Sequence, residues 1–207
     1  MARYYDVHPV DPQPRAIAQV VQLLRDDGLL AYPTDSGYAL GIRLGNRDGL
    51  ERMRDIRQLD ERHHFTLVCK DFAQMGRFVH LGNAEFRAVK AATPGPYTFI
   101  LPATGEVPKA FMHPKKRTVG VRIPEHRVVA ALLEELDEPL LSTTLILPDQ
   151  TDPMTMGWEV KEELDQKLDA VLDGGEETDS EPTTVVDFSS GAPEVTRVGR
   201  GDPDRFS

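Results

Sequence analysis

Apolar positions recur along this chain at two spacings. Ile17, Val20, Val21 and Leu24 fall three or four residues apart, the period of one helix face, with Pro12 and Pro14 leading in and Gly28 as a stop. Leu50, Met53 and Ile56 predict a second helix ending near Gln58, residues 128–136 another, and the repeat Val160, Leu164, Leu168 one more. Shorter helical segments are expected around 71–78 and 84–91. The second spacing is that of strands, in short apolar or alternating runs at 4–8, 29–32, 65–69, 97–101, 118–123, 140–147, 170–172, 184–188 and 194–198. Thr93-Pro94-Gly95-Pro96 is a strong breaker, Pro124 closes the run before it, and 174–182 reads as an acidic loop. Helices and strands interleave irregularly, and the last strands follow one another with only a turn between them. That order predicts an α/β (mixed α+β) fold, a mixed sheet with helices packed on it rather than a strictly parallel doubly wound one.

The run Leu29-Leu30-Ala31-Tyr32 meets Pro33, which is expected to end the strand's ladder. Thr34-Asp35-Ser36-Gly37-Tyr38 then reads as a tight loop. It would display two hydroxyls, a carboxylate and a phenol at a strand end, where open α/β sheets place ligands. The same residue types are also the ordinary vocabulary of turns.

Composition narrows the picture. The 207 residues suffice for one substantial core, and neither an internal repeat nor a dividing linker is visible, so 1–207 is expected to form one domain. No apolar run approaches the ~20 residues of a membrane span, and the first residues carry no apolar leader. The single cysteine, Cys69, sits in an apolar run and reads as a buried, inert thiol. Together these features predict a cytoplasmic protein with no membrane partner. A net charge of −10 argues against wrapping nucleic acid with the whole surface, but the charge is uneven. Arg52, Arg54, Arg57, Arg62, His63 and His64 crowd one stretch and His113, Lys115, Lys116 and Arg117 another, while 159–169 and 176–181 are acidic. Taken singly, each cluster reads as a solvated face.

Several chemistries are missing. No phosphate-binding glycine loop, cysteine pair, H-E-x-x-H or G-x-S-x-G is present, and the six histidines have no metal-ligand spacing, so no metal site is expected. What remains is polar residues at expected strand ends: Thr34, Ser36, Tyr38, Arg57, Thr98, Arg122, Ser142, Thr143, Thr144, Thr183, Thr184 and Arg197. Guanidinia and hydroxyls suit an anionic ligand bearing both carboxylate and phosphate. Each alone has an ordinary structural role; their joint occurrence argues for a site.

These residues fall in motifs that resemble the YrdC/YciO family, whose best-studied members are threonylcarbamoyl-AMP synthases. AYPTDSGYALG (31–41) resembles the family's opening Y-P-T-[DE]-T-x-Y-G-L-G, and Thr93-Pro94-Gly95-Pro96-Tyr97-Thr98 its W-P-G-P-x-T. Val119-Gly120-Val121-Arg122-Ile123-Pro124 is similar to V-A-V-R-x-P, Pro182-Thr183-Thr184-Val185-Val186-Asp187 to P-S-T-V-V-D, and Arg197-Val198-Gly199 to L-R-x-G. The match is collinear across nearly the whole chain. It implies a twisted open sheet with helices packed on it and a large concave, electropositive cavity. It also implies threonine, bicarbonate and ATP as substrates, with no tightly bound cofactor and magnesium a candidate companion of the nucleotide. The family carboxylates the threonine amine and adenylates the carbamate, releasing pyrophosphate; the product serves tRNA modification beside the anticodon, and some members bind tRNA or double-stranded RNA.

By resemblance, Thr34, Ser36, Tyr38, Arg122 and Thr183 would bind substrate, with Ser36 contacting threonine, Tyr38 walling the pocket and Arg122 holding the carboxylate. Arg57, Thr98, Thr144 and Arg197 would bind the nucleotide, Lys115, Lys116 and Arg117 would serve RNA, and no catalytic residue is assigned. The acidic run 176–181 is expected near the pocket mouth. Two departures stand out. The synthases' K-x-R pair is here Arg57 and Leu59, and their S-x-N pair Thr144 and Ile146, so two of four polar roles pass to aliphatic side chains. Together with Arg57-Gln58-Leu59 and the strand end 141–145, this resembles the YciO-like branch. Two readings follow: an enzyme of the same class with weak or altered activity, or a non-catalytic RNA- or nucleotide-binding module that keeps the fold.

Overall fold

The computed structural model describes residues 1–206. Ten strands form one mixed sheet: β1 (Arg3–Asp6), β2 (Leu30–Thr34), β3 (Gly37–Arg43), β4 (Thr66–Val68), β5 (Tyr97–Pro102), β6 (Thr118–Arg122), β7 (Leu140–Thr144), β8 (Ala170–Asp173), β9 (Thr184–Asp187) and β10 (Glu194–Arg197). Their spatial order is β1-β8-β2-β3-β7-β4-β6-β5-β9-β10. The pairs β1–β8, β8–β2, β4–β6 and β5–β9 are parallel and the rest antiparallel. Six α-helices accompany them: α1 (Pro14–Arg25), α2 (Arg47–Arg57), α3 (Phe72–Phe78), α4 (Asn83–Ala91), α5 (Arg127–Leu136) and α6 (Gly157–Leu164).

The alternation along each strand sorts its side chains between two cores. On one face Leu30 and Tyr32 pack with Ile17, Val20, Val21 and Leu24 of α1 and the apolar stripe of α5. On the other, Ala31, Leu40 and Ile42 join Leu50, Met53 and Ile56 of α2 and Val160 and Leu164 of α6. The first face turns polar beyond β7. On β5 and β6, Phe99, Leu101, Val119 and Val121 belong to the second core, whereas Thr98, Thr118, Gly120 and Arg122 alternate to the opposite side.

The largest difference from the sequence pattern lies at Pro33. The strand runs through it to Thr34 and folds back as β3, with Pro33 opposite Tyr38 and Thr34 opposite Gly37. Thr34 and Tyr38 therefore sit in paired strands, and only Asp35 and Ser36 make the turn. Proline is tolerated because β8 pairs β2 only at Leu30 and Ala31, so no neighbour on that side needs an N–H from residue 33. The turn closes on itself. Thr34 Oγ1 donates to the Gly37 carbonyl at 2.7 Å and accepts from Ser36 N at 3.0 Å. Gly37 has φ +86°, in the left-handed region, and a Cβ there would lie 2.3 Å from Pro153. At the other elements the differences are of one to four residues: β7 stops at Thr144 and α6 at Leu164.

Candidate functional site

Where the helices leave the sheet uncovered there is a cleft of about 350 Å³. Its floor is hydroxyl-rich: Thr66 from β4, Thr98 from β5, Thr143 and Thr144 from β7, and Thr183 just before β9. Arg57, Arg62, His63, His64 and Arg197 supply the basic wall, and Ile100, Ile146 and Val185 the apolar one. Among the described residues no aspartate or glutamate lines it.

Each basic group is placed by its own element. Arg57 is the last residue of α2, whose left-handed Gln58 cap ends the helix and leaves the guanidinium at the negative end of the dipole. From there Nε donates to the Ile146 carbonyl at 2.9 Å and Nη1 to Thr143 Oγ1 at 2.8 Å. Burial, and next the charge of Arg197, pull Arg57 down to about 10. His63 Nε2 lies 3.0 Å from the same Thr143 hydroxyl, and burial, then the Arg57 charge, push it down to about 4. His64 stacks on His113 at 4.7 Å, meets Thr118 Oγ1 at 2.9 Å and is also lowered, mainly by burial. On the edge strand β10, Arg197 donates from Nε to the Thr183 carbonyl and from Nη2 to its hydroxyl, both at 2.9 Å. Thr183 Oγ1 also meets Thr98 Oγ1 at 2.9 Å. Arg57 and Arg197 are thus aimed by uncharged partners and keep an unneutralised charge.

The cleft narrows inward to a space of about 20 Å³ bounded by Tyr32, Thr34, Arg122, Pro124 and Ser142, and by Thr66, Thr98, Thr143 and Thr144, which line both spaces. That is room for one water-sized group. Arg122 is ion-paired to Asp35, and its Nε is buried without a hydrogen-bond partner. Asp35 also accepts from Glu125 N at 3.1 Å, and its carbonyl accepts from Arg200. On the far side of this pair lies a second cavity of about 370 Å³ lined by Thr34, Asp35, Glu125, His126, Glu176, Glu177, Asp179 and Arg200, among others. The acidic 176–181 stretch thus contributes to this second cavity rather than to the arginine-lined cleft.

The structure therefore brings Arg57, Thr98, Thr144, Thr183 and Arg197 to one cleft, with Thr34 and Arg122 at its inner end. It does not bring Tyr38 there. The Tyr38 ring is fully buried in the core, its hydroxyl 3.2 Å from Asp173 Oδ1, and burial followed by the Asp173 charge raises its pKa. Ser36 is buried in the turn, its hydroxyl without a partner, and lines neither space. Lys115, Lys116 and Arg117 form the turn before β6, outside the cleft, with Lys116 Nζ 3.4 Å from Asp187. Sequence reasoning gave no role to the Asp35 clamp on Arg122 or to Thr66. The only signal for Asp35 was its place between Thr34 and Ser36, and Thr66, inside an expected apolar strand, gave none.

Comparison with known proteins adds four findings. A family model named Sua5_yciO_yrdC and described as "Telomere recombination" matches residues 22–199. The chain is 41% identical over 206 residues to the Escherichia coli (strain K12) protein YciO, with full coverage of both, and superimposes on the crystal structure of E. coli YciO with a TM-score of 0.97. It is 31% identical over 161 residues to a threonylcarbamoyl-AMP synthase of Vibrio vulnificus (strain YJ016), covering 76% of this chain and 86% of that one. The crystal structure of P. abyssi Sua5 complexed with L-threonine shares the fold at a TM-score of 0.86 and 23% identity, over 95% of this chain and 57% of that one.

Proposed function

The chain belongs to the Sua5/YciO/YrdC family, and on that premise we propose that it binds ATP and threonine in the arginine-lined cleft and catalyses a weak or altered threonylcarbamoyl-adenylate synthesis. In that reaction the threonine nitrogen takes up the carbon of bicarbonate with loss of water. The carbamate oxygen then attacks the α-phosphorus of ATP, and pyrophosphate leaves. The product would feed tRNA threonylcarbamoyladenosine formation, in the cytoplasm.

One observation carries the reading: Arg57 and Arg197 converge, unpaired with any carboxylate, on a hydroxyl floor that continues inward to Arg122. Positive charge held on neutral scaffolding suits phosphate, and a forked guanidinium suits a carboxylate. A threonine carboxylate reaching Arg122 would share it with, or take it from, Asp35. The weakness follows from the two aliphatic positions. Ile146 lines the cleft where the synthases carry a polar residue, and Leu59 packs against the core instead of offering a charge. Losing one key electrostatic donor costs on the order of 10²-fold or more in turnover.

The same two residues favour a second reading, a nucleotide- or RNA-binding module without catalysis, with the turn Lys115-Lys116-Arg117 as the RNA contact. Pyrophosphate release from ATP, with and without threonine and bicarbonate, separates the two. Release that needs threonine supports the synthase reading. Absence of release with nucleotide or RNA still bound supports the module.

A further inference from the structure

We propose that the cleft is matched to a nucleoside carrying a single phosphate, bound without a divalent cation, in preference to a magnesium-bound triphosphate. This rests on the nucleotide reading above and narrows its ligand class.

Charge is the first argument. Arg57 and Arg197 are the guanidinia fixed on the cleft wall, and Arg62 is exposed at its rim. The charge of Arg122 is met by Asp35. His63 and His64, both lowered by burial, stay neutral at pH 7 and add none. Two fixed positive charges therefore face the ligand, and a phosphate monoester carries about −1.5 to −2 at that pH. Each guanidinium has five N–H donors. Two on each are spent on the Ile146 carbonyl and Thr143, or on the two Thr183 oxygens, which leaves both forks with donors for one phosphate's oxygens.

Metal chemistry is the second. Magnesium in nucleotide sites is held by one or two protein carboxylates together with substrate phosphates and waters. Among the described residues no carboxylate lines this cleft, so the protein offers the ion only neutral threonine hydroxyls and no charged ligand.

The third is the wall. Additional phosphates need donors, yet Ile100, Ile146 and Val185 present hydrocarbon, and charge placed there loses hydration without return. At about 350 Å³ the cleft is also near the small end of the roughly 300–1,000 Å³ span of ligand pockets.

The test is calorimetric titration of AMP, ADP and ATP into the full chain, each with excess magnesium and with EDTA. AMP is expected to bind at least as tightly as magnesium-ATP, with an affinity that changes less than about twofold on removing the metal. Ile146→Asn, alone and with Leu59→Arg, returns polarity at the departed positions and is expected to move the ATP-to-AMP affinity ratio toward ATP by about tenfold. The single variant suffices if Leu59→Arg, which alters a core contact, fails to fold. Magnesium-ATP binding about tenfold or more tighter than AMP in the unaltered protein overturns this inference and leaves the nucleotide reading standing. A ratio unmoved by Ile146→Asn also overturns it. Binding of none of the three overturns the nucleotide reading and this inference with it.

Discussion

Replacing Asp35 by asparagine removes a charge while nearly preserving shape, and the surroundings set the cost. The Arg122 and Asp35 side chains are each only 8% exposed. Asp35 holds one guanidinium nitrogen of Arg122, whose Nε already lacks a partner, and also accepts from Glu125 N. Without the carboxylate, a guanidinium is left buried with no counter-charge. Breaking a buried pair from one side costs about 3–5 kcal/mol. In a chain of this length that lowers the melting temperature by about 6–20 °C, at about 2–4 °C per kcal/mol. Urea denaturation of Asp35→Asn, Arg122→Met and the double variant measures the coupling directly. Each single variant should lose most of this amount, and the double should lose much less than their sum, because neither charge then remains unpaired. Since Arg122 bounds the inner end of the cleft, added L-threonine should restore more stability to Asp35→Asn than to the unaltered protein. A single-variant loss below about 1 kcal/mol with additive effects would refute the reasoning.

Other outcomes follow from the same geometry. Thr183→Val strips partners from the Thr98 hydroxyl and from Arg197 Nη2, and should cost about 1–3 kcal/mol in chemical denaturation; a neutral result contradicts the network. His63 is held at about 4, against an ordinary 6.5, by burial first and the Arg57 charge second. Between those values the unfolded chain binds a proton that the native one refuses, so this contribution is full above about pH 6.5 and fades as pH falls toward 4. On lowering the pH from 6.5 to 4.5 the unaltered protein should lose about 2 kcal/mol more stability than His63→Gln, and equal losses contradict the assignment. If RNA binds at the turn before β6, replacing Lys115, Lys116 and Arg117 by alanine should flatten the salt dependence of its affinity by about two to three counterions. An unchanged slope removes these residues from the interface.

Much of this architecture was legible in the chain, and the reasons differ by element. The stripe Ile17, Val20, Val21, Leu24 announces α1 because a helix repeats its buried face every three to four residues, and those four are its buried residues. Cys69 is buried, with its thiol pKa raised chiefly by desolvation, as its apolar run implied. β3 was hidden for a physical reason. Gly37, Ala39 and Gly41 take alternate positions beside Tyr38, Leu40 and Ile42, so the strand shows no apolar–polar alternation, and the proline ahead of it reads as a stop. The site divides in the same way. Its polar residues stood out at strand ends and through the family motifs, but their grouping depends on strand order. Thr98 meets Thr183 because β5 lies beside β9, and Arg57 meets Thr143 from the end of α2. Such long-range neighbours leave no periodic trace. Tyr38 illustrates the converse: a motif position whose side chain, one step along an alternating strand, faces the core.

The most direct test of the account is nucleotide binding to the unaltered chain and to Arg57→Met/Arg197→Met, followed by calorimetry, with circular dichroism confirming that both are folded. Two charge-assisted contacts at about 1.5–3 kcal/mol each predict binding in the unaltered protein and a loss of about 100-fold or more in the double variant. Equal affinity in the two proteins, or no binding to the unaltered one, would contradict the claim that this cleft is a nucleotide site.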